Sequence, residues 1–403
     1  MTTQSSRGNS LGLSDFKNFS TLVRDSRFWK LAGQVIAIVA VGLFFALLWH
    51  NLNFNLQRLG IQFGYGFLES QASFDIGESL ISFSPSDSFG KAMLVGLVNT
   101  LRVSVIGIIL ATLVGLVVGV ARLSDNWLIR KLALVYVEVI RNTPLLLQLF
   151  FWYFAVFFQL PSLDAQTTPS SVPFYFTKRG MAVPWLYPTS GTGIWIVLLA
   201  IGILAAAWLT RWRTRLRVEQ GIPSQSWLWS GGAIALTSLL ALIITRRAPF
   251  NASIPVIQGT QIQGGLQLSP EIAALLAGLT FFTASFIAEI VRAGIQAVPK
   301  GQGEAARALG LKSGIITRRV ILPQALRVIV PPLTSQYLNL AKNSSLAIAI
   351  GFPDLYAVSY TTVNQTGRAV EVFLIIAGTY LTISLTISLL MNLYNRTVQI
   401  KER

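Results

Sequence analysis

Between two long apolar segments the chain reads, from Val298 to Pro323, VPKGQGEAARALGLKSGIITRRVILP. Gly301, Gly303, Gly310 and Gly314 punctuate this polar, basic stretch, and Pro299 and Pro323 bracket it. Its middle, Glu304-Ala305-Ala306-Arg307-Ala308-Leu309, consists of good helix formers and predicts one or two helical turns. Gly310 stands where a helix C-cap would be. A second short helix is expected from Ser313 to Ile321, ending before Pro323. A helix-glycine-helix hairpin anchored at both ends to apolar segments is shaped for docking against another protein. An ordinary basic connecting loop would share this composition.

The composition bounds the rest. Of 403 residues, 53% are hydrophobic and 12% charged, about half the ~25% charge of a soluble domain. Several runs of about 18 or more apolar residues predict an all-α polytopic membrane protein. The net charge of +16 arises because acidic residues are scarce. The basic residues sit in short connections, which is the positive-inside pattern and not a nucleic-acid footprint. The absence of cysteine excludes disulfides, thiol catalysis and thiolate metal sites. The single histidine, His50, ends an apolar run and reads as an interfacial structural residue. No H-E-x-x-H, G-x-S-x-G or carboxylate cluster marks an enzyme or a metal site. No phosphate-binding loop occurs either, because Lys312-Ser313 follows Leu311 and not glycine. A polar hairpin without a nucleotide site of its own implies a separate docking partner.

Eight spans satisfy the charge pattern with both termini in the cytoplasm. A basic segment, 1–30, precedes a retained first span, 31–50, and an acidic outer loop, 51–88. The remainder, 89–397, is expected to hold five core spans at about 92–123, 132–160, 271–297, 328–350 and 373–394. An insertion, 161–270, carries two further spans at about 193–209 and 227–244, joined by Arg211, Arg213, Arg215 and Arg217. In the second span Gly107, Ala111, Gly115 and Gly119 recur every fourth residue, a small-residue ridge for close helix approach. In the third, Glu138 and Arg141 can pair on one face, and Pro144 kinks or restarts the helix.

The seventh span is the least suited to lipid. Ser335, Gln336, Asn339, Lys342 and Asn343 fall on one helical face, and Ser344 and Ser345 continue the polarity. Such groups are costly in hydrocarbon and must face the bundle interior or a watery path. They are candidates for a solute pathway, or for hydrogen bonds between helices. On the sixth span Thr280 and Thr283 share a face, while Ser285, Glu289 and Arg292 share another. Thr283 and Glu289 join the pathway candidates, although Glu289 and Arg292 are placed to pair with each other.

Glu304-Ala305-Ala306, then Gly310, then Val320-Ile321-Leu322-Pro323 resembles the EAA loop of type I ABC importer permeases, with Val320 replacing the usual isoleucine. Gly294-Ile295 and Val298-Pro299-Lys300-Gly301-Gln302 resemble the polar amino acid subgroup, of the histidine- and glutamine-permease kind. So do Arg141-Asn142-Thr143-Pro144-Leu145-Leu146, where Asn142 replaces glycine, and Lys342-Asn343-Ser344-Ser345-Leu346. The extra first span and the two inserted ones look like the long permease subunit of general L-amino acid importers.

The resemblance implies that 298–323 is a cytoplasmic coupling helix seated in a groove of a partner ATPase. Small Ala305 and Ala306 would allow close approach, Glu304 would supply a rim charge and Gly310 the turn, and Leu322 and Pro323 close the motif. It further implies a heterodimer with a second, homologous permease, two ATPase subunits that hold ATP and magnesium, a periplasmic amino acid-binding protein and a bacterial inner-membrane location. This chain itself would carry no cofactor, perform no catalysis and bind no nucleic acid. An ion-coupled secondary carrier or channel would share the spans but has no use for the docking hairpin. A scaffold subunit whose partner holds the solute fits the same sequence.

Overall fold

The structure is a computed structural model, and it describes residues 26–58, 63–162, 173–220, 225–258 and 261–399. The N-terminal segment expected over 1–30 lies almost wholly outside the described residues, as do Lys401 and Arg403. The chain divides between Phe67 and Leu68 into two units. The first holds one helix, α1 (Ser26–Arg58), on which Ile36, Phe45 and Leu47 are exposed along an unbroken apolar surface. Its Trp29–Asn55 portion is long and apolar enough to cross a membrane.

The second unit is a helical bundle organised on α2 (Phe89–Ala121) and α7 (Pro270–Gln296). Ser88 caps α2, its hydroxyl accepting from the Lys91 N–H at 3.3 Å. Lys91 also pairs with Asp87 at 2.8 Å. That contact, with the Ser84 N–H, holds the Asp87 carboxyl below its ordinary range. The small-residue ridge of α2 lies directly on α7. A Cβ at Gly115 would fall 2.6 Å from Ile287 Cβ, and one at Gly119 would fall 2.8 Å from the Ala288 carbonyl oxygen. The core gathers around this contact, with Val103, Ala111, Leu149, Leu275, Leu279, Ile287 and Leu340 all buried.

The expected third span is broken. Helix α3 (Trp127–Asn142) ends at Thr143, which is extended at φ −101°, ψ 127°, as a residue before proline prefers. After Pro144 comes α4 (Leu145–Phe150), continued by a π-helical stretch (Phe151–Val156) and a 3-10 turn (Phe157–Gln159). The two halves meet at 108°. Gln148 repairs the break, its side-chain amide donating to the Ile140 and Thr143 carbonyls at 2.9 and 3.0 Å.

The insertion departs from a purely helical expectation. Helices α5 (Thr192–Gln220) and α6 (Ser226–Thr245) form an antiparallel pair, and α5 runs straight through the four arginines expected to form a connection. Seven short strands flank the pair. β1 (Tyr175–Thr177), β2 (Gly180–Val183) and β7 (Leu266–Leu268) form one antiparallel sheet, with Met181 opposite Leu268. β3 (Trp185–Pro188) pairs with β4 (Phe250–Ser253), and β5 (Val256–Gln258) with β6 (Gln261–Gln263).

After α7 come α8 (Lys300–Ala308), α9 (Ser313–Ile316), a π-helical stretch (Thr317–Ile321) and α10 (Leu322–Asn343). A 3-10 segment (Ser344–Ile350) then leads to α11 (Leu355–Thr366) and α12 (Ala369–Val398). The expected seventh span is therefore longer and bent. It starts before Pro323, with no loop between α9 and α10, and turns by 54° into α11, a helix absent from the sequence reading. Among the described residues six helices are long and apolar enough to cross a membrane, and eight spans result when each bent pair counts as one.

Candidate functional site

The hairpin forms as its glycine pattern dictates. Helix α8 closes in a double hydrogen bond: the Gly310 N–H donates to the Arg307 carbonyl at 2.8 Å and the Leu311 N–H to the Ala306 carbonyl at 3.2 Å. This is a Schellman ending, and it requires the left-handed conformation that Gly310 adopts at φ +74°. Gly303 and Ala306 are buried, Ala306 being 4% exposed, so one face of α8 packs back onto the hairpin. Gln302 and Gln324 side chains meet at 3.4 Å and tie α8 to the start of α10.

Glu304, Ala305 and Arg307 point outward, and Leu309, 80% exposed, forms the tip with exposed Leu311 and Ile315. The two alanines therefore differ: Ala305 belongs to the outer surface, whereas Ala306 shapes the hairpin itself. Leu322 is exposed and Pro323 half-buried in the first turn of α10. The capped, polar hairpin thus carries an exposed apolar tip.

The polar residues of α10 lie farther along the same rod. Leu322 and Gln336 are about 21 Å apart at 1.5 Å per residue, so hairpin and polar edge are separate regions joined by one helix. Ser335, Asn339 and Lys342 are exposed, and Gln336 and Asn343 half-buried beside them. Ser344 is buried and donates to the Ala341 carbonyl at 2.8 Å. Ser345, half-buried, donates to the Lys342 carbonyl at 2.8 Å. Among the described residues of this unit the Ser335-Asn339-Lys342 edge is left uncovered, which in hydrocarbon would be costly.

The two pathway candidates of α7 separate. Thr283 is buried in the bundle, one turn from Thr280, whose hydroxyl is buried without a hydrogen-bond partner among the described residues. Glu289 sits near the hairpin end of α7, between two arginines. It accepts from Arg292 on its own helix, as expected, and from Arg122 at the end of α2. Arg141 does not form the expected pair with Glu138 among the described ion pairs. Its guanidinium lies over the Phe286 ring, 5.0 Å from the centroid. Arg122, Glu138, Arg141, Asn142, Phe286 and Glu289 together line a cleft where α2, α3 and α7 converge.

A second polar network lies at the opposite end of α2, around Asn99, Thr100 and Arg102. The Asn99 amide donates to the Glu78 and Pro353 carbonyls at 2.8 and 2.9 Å. Arg102 pairs with the Glu78 carboxylate at 2.7 Å, and Ser269, the cap of α7, donates to the same carboxylate. The Thr100 hydroxyl accepts from the Leu355 N–H at 3.0 Å. Buried Asp354 caps α11, accepting from the Ala357 N–H at 2.8 Å and from the Tyr380 hydroxyl at 3.4 Å. An aspartate before an apolar helical run is a start signal, and it was the one available sign of α11.

Comparison with known proteins identifies the family. The family described as "binding-protein-dependent transport system inner membrane component" matches residues 220–400. YhdX of Escherichia coli (strain K12), named provisionally as an amino-acid ABC transporter permease, is 45% identical over 92% of this chain and 94% of its own length. The general L-amino acid transport system permease AapQ of Rhizobium johnstonii is 44% identical over 96% of both chains. The glutamate/glutamine/aspartate/asparagine transport system permease BztB of Rhodobacter capsulatus is 41% identical over 95% of this chain and 97% of its own.

Proposed function

The chain belongs to the permease subunits of amino-acid ABC transporters, and from that premise we propose that it takes up L-amino acids of polar or broad range by alternating access. Members of this family are non-enzymatic transport subunits. The observation that carries the reading is an exposed capped tip on α8 that leads through one turn into the helical rod bearing an exposed polar edge. The tip around Ala305 and Leu309 would receive an ATPase subunit that holds ATP and magnesium. Two such subunits would serve a dimer of this chain and a second, homologous permease, which would cover the Ser335-Asn339-Lys342 edge. Closure of the ATPases would displace the hairpin, and α7 and α10 would transmit the movement to the bundle.

A periplasmic binding protein would deliver the solute at the end opposite the hairpin, and the assembly would sit in the bacterial inner membrane. The substrate range rests on names: the relatives are called general L-amino acid or glutamate/glutamine/aspartate/asparagine permeases. Gln336, Asn339, Lys342, Asn343, Ser344 and Ser345 are the proposed pathway residues of α10. Thr283 and Glu289 contribute from α7, Glu289 by holding Arg122 and Arg292 at the inner mouth.

Proteoliposomes holding the assembled subunits test the reading. Uptake of L-amino acids is expected to require ATP hydrolysis; uptake driven by an ion gradient alone would instead identify a secondary carrier. Asn343→Leu is expected to reduce uptake about tenfold, the effect of losing one well-placed polar contact, while the complex still copurifies. Unchanged uptake kinetics in that variant would place the solute path in the partner permease.

A further inference from the structure

The transport reading makes no use of the α5-α6 pair. At the end remote from the strands, Arg211, Arg213, Arg215 and Arg217 occupy the last turns of α5, beside Trp208 and Trp212 and opposite Trp227 and Trp229 of α6. The Arg213 guanidinium lies 4.5 Å from the Trp229 ring centroid and 5.7 Å from that of Trp212. Trp212 in turn stacks on Trp208 at 5.8 Å. Arg213 Nε is buried and has no hydrogen-bond partner among the described residues. A hydrogen bond of 2.7 Å between Thr210 and Ser230 fixes the two helices to each other next to this clamp. Arg217 follows Arg213 on the same side of α5, one turn on.

The depth of the cluster is set by a second tryptophan. Trp195, near the other end of α5, donates its indole N–H to Thr245 and to the Arg247 carbonyl, both at 3.1 Å. Trp195 and Trp212 lie about 26 Å apart along the axis, close to the ~30 Å of a hydrocarbon core. Tryptophans at that spacing mark the two membrane interfaces, which puts Arg213 at the level of lipid phosphates. Ile196, Leu204, Leu236 and Leu240 are exposed between them, so the pair presents an apolar surface of the kind lipid covers. Glu219 is the one acidic residue in the two helices.

We propose that Arg213 and Arg217, with Trp212 and Trp229, form a binding site for the headgroup phosphate of an anionic glycerophospholipid. The indole faces hold the Arg213 plane without consuming its N–H donors. Its two terminal Nη groups remain for a bidentate contact with phosphate. Orientation by the positive-inside rule would be met by arginines anywhere in the connection. It does not require one of them to lie over the indoles of both Trp212 and Trp229.

The test uses the full chain with its copurifying subunits, exchanged into equal amounts of phosphatidylglycerol and phosphatidylcholine and analysed by native mass spectrometry. The unaltered protein is expected to retain phosphatidylglycerol preferentially. R213Q/R217Q is expected to cut that preference on the order of tenfold, as loss of two interfacial charges should. R246Q/R247Q, at the other end of α6, is expected to leave it unchanged. Trp229→Leu removes the clamp and no charge, and should lower retention several-fold at unchanged thermal stability. The proposal is overturned if R213Q/R217Q retains phosphatidylglycerol like the parent, if phosphatidylcholine is held equally well, or if Trp229→Leu has no effect. Displacement by excess inorganic phosphate would assign the site to the free ion and overturn the lipid claim. The readout is lipid retention, so the outcome does not depend on which solute is carried.

Discussion

Ala305→Trp is expected to lower ATP-driven uptake on the order of a hundredfold, the scale of a lost interface hot spot, while the chain stays folded in the membrane. The side chain at 305 is exposed on the outer face of α8, so an indole there points away from the buried Gly303-Ala306 face. It would occupy the space a partner's groove needs. Gly310→Val should act by another route. The left-handed conformation at φ +74° costs a β-branched residue about 1–2 kcal/mol, enough to open the Schellman ending and splay the tip. The control is Gly301→Ala, in the first turn of α8, where a Cβ meets nothing within 4 Å. Copurification of the ATPase and uptake are measured together. If both persist at parental levels in Ala305→Trp, the hairpin is not the docking element.

Gly115→Leu should act on the fold itself. Even the Cβ would fall 2.6 Å from Ile287 Cβ and 3.0 Å from the Ala284 carbonyl oxygen, so α2 and α7 must separate. Overpacking of this kind typically costs about 1–3 kcal/mol. Here the obstructing atoms include backbone, and the bundle has no slack behind them, because Ala284 and Ile287 are fully buried. A drop in the unfolding midpoint in detergent of roughly 5 °C or more is expected, with loss of yield. Gly232→Leu on α6, where a Cβ has open space, should leave the midpoint where it was. A midpoint in Gly115→Leu equal to the parent would mean that the close approach of α2 and α7 does not hold the bundle together.

Features written in local sequence were readable. The hairpin is a matter of helix formers between glycines, and the ridge of α2 a matter of one residue type every fourth position. Pro144 signalled a break but not its size, since the 108° turn depends on where Gln148 and the α7 surface receive the second half. The polarity of α10 was legible as a stripe. That Asn343 and Ser344 tuck inward while Asn339 and Lys342 stay outside depends on neighbouring helices. What escaped was held by distant partners. Met181 pairs with Leu268 across the whole inserted hairpin, in strands of three or four residues that leave no alternation to see. The Arg122–Glu289 pair leaves no local signal, because its members lie 167 residues apart. The arginines of α5 read as a connection because charge alone does not end a helix, and arginine is a good helix former.

The uncovered edge of α10 has a consequence that precedes any transport. A copy without a partner presents Ser335, Asn339 and Lys342 outward, and each strongly polar group left facing hydrocarbon costs on the order of a few kcal/mol. An orphan copy is therefore a poorly solvated intermediate, inclined to tilt, to draw water inward or to associate wrongly. Under the dimer proposed above, balanced synthesis of the two permeases would be a condition for the survival of either, and surplus copies would be natural clients of membrane proteases. The same residues that would line a path in the finished assembly act, before assembly, as a label of incompleteness.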